Sequence, residues 1–167
     1  VEGVSNVVVN DGLIRTDNYG KWNSALDLTV NGSGKFEMWN NESVTLANLS
    51  GNGTVQNTKY WFRSQTLTIA AASFSGSITD LGITSGGPGN GDTRINLVKS
   101  GSGTLTLSGA NSYNGNTTVN DGTFSIPSGG SLRFRPTTSG QTNVLSGTAS
   151  ATLSYLITRN LTALSRV

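Results

Sequence analysis

Apolar and polar residues alternate in short runs along this chain. The pattern is clear in Leu26, Leu28 and Val30, in Phe36 and Met38, and in Val44 and Leu46. It returns in Leu67 and Ile69, Leu105 and Leu107, and Leu132 and Phe134. A period of two marks strands with one buried face, here about 3–6 residues long. The turns between them are rich in Asn and Gly, which tolerate positive φ. A glycine followed by a small, basic or apolar residue and then an apolar or small one opens many of these runs. It recurs at Gly12, Gly34, Gly53, Gly76, Gly103, Gly122 and Gly147, at intervals of 19 to 27 residues. Longer strings return as well: residues 50–55 reappear as 100–105, and 9–12 as 119–122. A period near 22 residues holds three short strands and three turns, one coil of a parallel β-helix. Seven coils stacked about 4.8 Å apart make a rod roughly 34 Å long. An antiparallel sandwich also has short, regularly spaced strands. It gives no reason to reuse the same string at the same phase, so the predicted fold is an all-β solenoid over residues 1–152.

Composition narrows the classes further. Gly, Ser, Thr and Asn make up half of the 167 residues, hydrophobic residues 34% and charged residues 12%. So little apolar material excludes a helical bundle. No run approaches the roughly 18 apolar residues of a membrane span. The net charge of +2 is too small to imply a nucleic-acid partner. No acid follows Asp121, whereas Arg133, Arg135, Arg159 and Arg166 do, so the C-terminal part is basic. With no Cys there is no disulfide framework, and with no His the common zinc and Ser-His-Asp chemistries are excluded. The chain opens Val1, Glu2, Gly3 without Met or an apolar leader, which reads as a processed product or a fragment.

Candidate chemistry is sparse. Glycoside hydrolysis needs two carboxylates about 5–9.5 Å apart. Asp11 and Asp121 sit in matched turns five coils apart, roughly 24 Å by the coil spacing, and form no pair. Asp80 and Asp92, on either side of the glycine-rich stretch 85–92, are the one pairing the sequence allows. Residues 86–92 look like a calcium nonapeptide, but the Asp falls one position late and calcium solenoids need a stacked series. That stretch reads as an insertion that lengthens its coil to 27 residues. Trp39 and Trp61 lie 22 residues apart, one coil, and Tyr60 and Phe62 flank the second. Stacked aromatics close solenoid corners; exposed ones grip the C–H face of a pyranose. Six Asn-x-Ser/Thr triplets, at Asn31, Asn41, Asn48, Asn52, Asn116 and Asn160, are close to what the composition alone supplies. At the far end, Leu153, Leu156, Ile157, Leu161, Leu164 and Val167 recur at three- and four-residue spacing. Residues 153–167 therefore read as a short amphipathic cap or an irregular last strand.

The stretch 97–124 closely resembles the passenger-associated transport repeat, also called the autotransporter-associated β-strand repeat. It carries Lys99, Gly101, Gly103, Thr104, Leu105, Leu107, Gly109, Asn111, Tyr113, Gly115, Thr117, Val119 and Gly122 at the family's positions, with Phe124 where Leu is usual. The resemblance implies a right-handed parallel β-helix, exported to the cell surface or beyond, in which the repeat carries no catalytic residue. The leading expectation is thus a secreted structural module, a stalk, fibre or passenger scaffold, without cofactor or metal and not inserted in a membrane. It is expected to associate end to end, with copies of itself or other coils of a parent protein, because residues 4–9 look like an open strand edge. The alternatives are an adhesin module that binds surface glycans through Trp39, Tyr60, Trp61 and Phe62, and a polysaccharide-degrading enzyme.

Overall fold

A computed structural model describes residues 3–16, 26–39, 43–58, 64–81, 83–84, 91–132, 145–147 and 150–153. They contain strands and turns and no helix. The chain winds through three faces in a fixed order, and each strand pairs in parallel with its equivalent in the next turn. The first face stacks Asn6–Val9, Asp27–Val30, 48–51, 71–74, Thr104–Leu107, Thr123–Ile126 and Ser150–Leu153. The second stacks Leu13–Arg15, Lys35–Glu37, Thr54–Asn57 and Ser77–Asp80. It is continued by Ala110–Asn111 and Ser131–Leu132, with Ser112 bridged to Thr79. The third stacks 44–46, 65–69, Ile95–Lys99, Thr117–Val119 and Leu145–Gly147. Val44–Gly51 and Gln65–Phe74 run unbroken from the third face into the first.

The fold is the expected parallel β-solenoid, with two corrections. Five turns, not seven, are complete on all three faces among the described residues; the first is seen on two faces and the last on one. The glycine series also does not keep one phase. Gly12, Gly34, Gly53 and Gly76 precede successive second-face strands, but the chain above Gly76 is Gly109, not Gly103. Leu105 pairs with Ala72 on the first face, so that turn takes 33 residues instead of 27. The extra length lies between Asp80 and Ile95, where Ile83–Thr84 and Gly91–Asp92 pair antiparallel.

Inward residues line up turn on turn. Leu28, Leu49, Leu105 and Phe124 fill one row with Ala72 among them, and Phe36, Val55 and Ile78 fill another. Burying each large side chain contributes about 1.5–3 kcal/mol. Opposite Phe74 the row holds Gly51, where φ is 100° and a Cβ would strike the Val30 carbonyl oxygen. Outward positions carry Ser and Thr, and several bond across turns: Thr29 to Ser50 at 2.8 Å and Thr79 to Ser112 at 3.0 Å. The matched turns behave as the sequence suggests. Asp11 accepts the Gly12 amide at 2.7 Å, and Asp121 the Gly122 amide at 2.7 Å. A further bond from Ser33 holds the Asp11 carboxyl below its usual range.

The corner from the first face to the second is the tightest. Thr54 and Ser77 donate to the carbonyls of Gly34 and Gly53, at 3.1 and 3.0 Å. A Cβ on Gly53 would lie 2.6 Å from the Gly34 carbonyl oxygen, and Cβ atoms on Gly76 and Gly109 would meet the preceding glycine carbonyl still more closely. Two predictions result. Gly76→Ala forces backbone against backbone and should cost about 1–3 kcal/mol or more in a denaturant melt. Gly129→Asn, where φ is 93° and nothing lies within 4 Å, should cost less than about 1 kcal/mol. The second concerns Tyr113, fully buried with its hydroxyl 2.7 Å from Thr117. Burial, opposed by the Thr117 bond and helped by the Asp80 charge, holds its phenol well above the ordinary 10.0. Its contribution is therefore intact below about pH 10 and declines as pH rises above it, because the unfolded phenol ionises first. Melts at pH 8 and pH 11 should show Tyr113→Phe losing less stability between the two than the parent.

Candidate functional site

Arg15 and Glu37 occupy the same row of the second face, 22 residues apart and in register. Arg15 Nε donates to Glu37 Oε2 at 2.5 Å. Glu37 is buried although it lies on the outward side, and Gln56 Nε2 and the Thr58 hydroxyl both donate to its Oε1. The carboxylate is thus held by three side chains, one from the turn before it and two from the turn after. Two residues on, the Trp39 amide donates to Thr16 Oγ1 at 2.6 Å, which joins the exits of two turns. The Arg15 guanidinium carbon lies 4.0 Å from the Trp39 ring centroid, a stacked cation–π contact. Trp39, expected as an aromatic platform, is half-buried and has one ring face covered by Arg15. Tyr60, Trp61 and Phe62 lie outside the described residues. Sequence reasoning missed Arg15, although an opposite charge one coil away was a usable signal.

Asp80, half of the carboxylate pair suggested by the sequence, is engaged by backbone. Its Oδ2 accepts the Ile95 amide at 2.7 Å and the Asn114 amide at 2.9 Å, and its Oδ1 the Asn114 side chain. It ties the start of the third face to the turn above. The side chain of Asp92 is not among those described. No cluster of three His, Cys, Asp or Glu able to hold a metal occurs among the described residues.

The other polar groups of note are in 97–126. Lys99 points inward, in register with Ile69 and Val119, and is fully buried. Its Nζ donates to the carbonyls of Ser100 at 2.6 Å, Gly101 at 2.5 Å and, in the next turn, Asp121 at 3.1 Å. Burial lowers its pKa, and the Asp121 charge partly opposes this. Asn111 accepts the Ile78 amide at 3.0 Å and donates to the carbonyls of Gly109 and Ser131, spanning three turns. On the first face a shallow groove of about 460 Å3 is lined by Asp27, Asn48 and Ser and Thr side chains together with Leu49, Ala71 and Ala72. Its one carboxylate accepts the Asn48 amide at 2.7 Å.

No curated protein and no solved structure matches this chain. The family model of the Passenger-associated-transport-repeat matches residues 97–126. That stretch spans a full circuit of the solenoid, from the third face at Leu97 through the first and second to the third again at Val119. Lys99 and Asn111, at the motif's positions, are buried groups that bind this circuit to its neighbours, Tyr113 closes on Thr117 within it, and over this circuit the chain is similar to the passenger-associated transport repeat.

Proposed function

We propose that this chain is a structural section of an exported passenger, non-catalytic and placed at the cell surface or beyond. The observation that carries this reading is the use of the repeat's own polar residues. Lys99, Asn111, Tyr113 and Thr117 are all buried and bonded within the wall or to adjoining turns, so none is offered to a substrate. Asp80 is engaged by backbone amides in the same manner. Among the described residues no helix is long and apolar enough to cross a membrane, which leaves strand-built spans outside the statement.

End-to-end association belongs to this proposal. The first rung, Asn6–Val9 and Leu13–Arg15, has a neighbour on one side only among the described residues. Val4, Val7 and Ile14 pack on the core from that end and remain partly exposed. An open strand edge with an apolar end is a template for another turn. A second reading, glycan contact at Trp39, is favoured by the rigid Arg15–Trp39 stack; binding on a glycan array that vanishes in Trp39→Ala would support it.

Three outcomes are expected. Sedimentation at rising concentration should show oligomers that Val7→Lys with Ile14→Lys dissolves; monomers only, at every concentration, would defeat the association. Lys99→Met keeps the apolar stem and removes three charge-assisted bonds. It should cost about 1.5–3 kcal/mol in a melt without altering any binding. Fused to a translocating barrel, the chain should become accessible to protease added outside intact cells; protection there would defeat the placement.

A further inference from the structure

The Arg15 guanidinium is fixed on two sides and free on its third. Nε is committed to Glu37, itself buried and braced by Gln56 and Thr58, and the flat face lies on Trp39. The Arg15 side chain is nevertheless 45% exposed, and neither Nη has a hydrogen-bond partner among the described residues. An arginine usually loses much rotamer freedom when it binds an anion; here that ordering is already complete, and the outward edge is a planar two-pronged donor. Lys35 adds an exposed positive charge on the same face, one turn on and in register with Leu13, which is itself 47% exposed.

We propose that this edge binds the carboxylate of an acidic polysaccharide, a polyuronate, at the outward side of the second face. The proposal rests on the glycan-contact reading and specifies its chemistry. Two Nη donors match the two oxygens of a carboxylate. The exposed Leu13 offers apolar surface to sugar C–H groups, which a purely charged partner has no use for. Arg15 and Lys35, on adjacent turns, suit a polymer that carries one charge per sugar. The Arg15–Glu37 pair is neutral as a whole, so Arg15 supplies the directed donors and Lys35 the positive charge of the edge.

The test is affinity electrophoresis of the full chain in gels containing polygalacturonate, dextran or polyglutamate. Retardation by polygalacturonate alone is expected, and it should weaken as salt is raised. Arg15→Lys keeps the ion pair with Glu37, and hence the local fold, but loses the two-pronged edge; its affinity should fall about tenfold or more. Lys35→Gln, on an exposed side chain, should weaken binding by a smaller factor. Dextran retarding the chain as strongly, with Arg15→Lys unchanged, would overturn the acidic specificity and leave glycan contact standing. Polyglutamate acting as well as polygalacturonate would overturn the sugar requirement. No retardation by any polymer would overturn both the inference and the glycan reading.

Discussion

Parallel stacking of the chain on its own previous turn governs the structure. Each strand must lie directly over its equivalent, about 4.8 Å away, so that backbone donors and acceptors close between turns. At a corner the chain must bend at that same separation, and a side chain directed along the stack would strike the turn below. Gly34, Gly53, Gly76 and Gly109 meet this demand at the corner between the first and second faces, where a carbonyl of the preceding turn leaves no room for a Cβ. The composition follows from the same demand. A thin wall has little interior, so apolar residues are needed at alternate strand positions only. The outward positions take Ser, Thr and Asn, which bond to their own copies one turn away.

Polar groups inside such a wall need partners from the wall itself. Lys99 would be costly in an apolar row between Ile69 and Val119, but its Nζ reaches the corner carbonyls of two turns. Asn111 spans three turns, and Asp80 holds two amides on different turns. These residues replace some of the cohesion that a larger apolar core would supply. Asn57, level with Asp80 one turn earlier, is less fortunate: it is buried and neither amide atom is bonded. At Asn57 the exit from the second face is thus held less completely than at Asp80 one turn on.

What was legible in the sequence follows from these roles. Alternation over two residues reports which side of a strand is buried, and it placed the strands at Leu28, Phe36, Leu67 and Leu105 correctly. Phase within the coil was not legible, because the glycine strings encode a kind of corner and not a position in the circuit. Residues 9–12 turn from the first face to the second, whereas 119–122, with the same Val-Asn-Asp-Gly, turn from the third to the first. Residues 50–53 and 100–103 differ in the same way, and aligning them as equivalents placed Gly103 where the fold has Gly109. The Arg15–Glu37 row was hidden for a similar reason. Carboxylates were weighed as catalysts, and pairing along the stack shows only once register is known. Trp39 was legible as a large aromatic near a corner, but its covering by Arg15 was not.

The two kinds of corner also explain where a solenoid like this has freedom to acquire binding chemistry. Between the first and second faces the connections contain 2 to 4 residues, whereas between the second and third they contain 5 to 14. The first kind is closed by backbone against glycine backbone, so an added residue would part the turns on both flanking faces. The second kind has its strand ends secured by side chains such as Asp80, Asn114 and Thr16. Insertions there do not disturb the stack, as the 33-residue turn demonstrates. Arg15, Glu37 and Trp39 lie at the exit of the second face, at the mouth of this permissive corner. The strands beneath them fix the guanidinium to the regular spacing of the wall, while the surroundings of the site are free to vary. The surroundings of a fixed side chain beside a connection of variable length can therefore change without any change in the register of the wall.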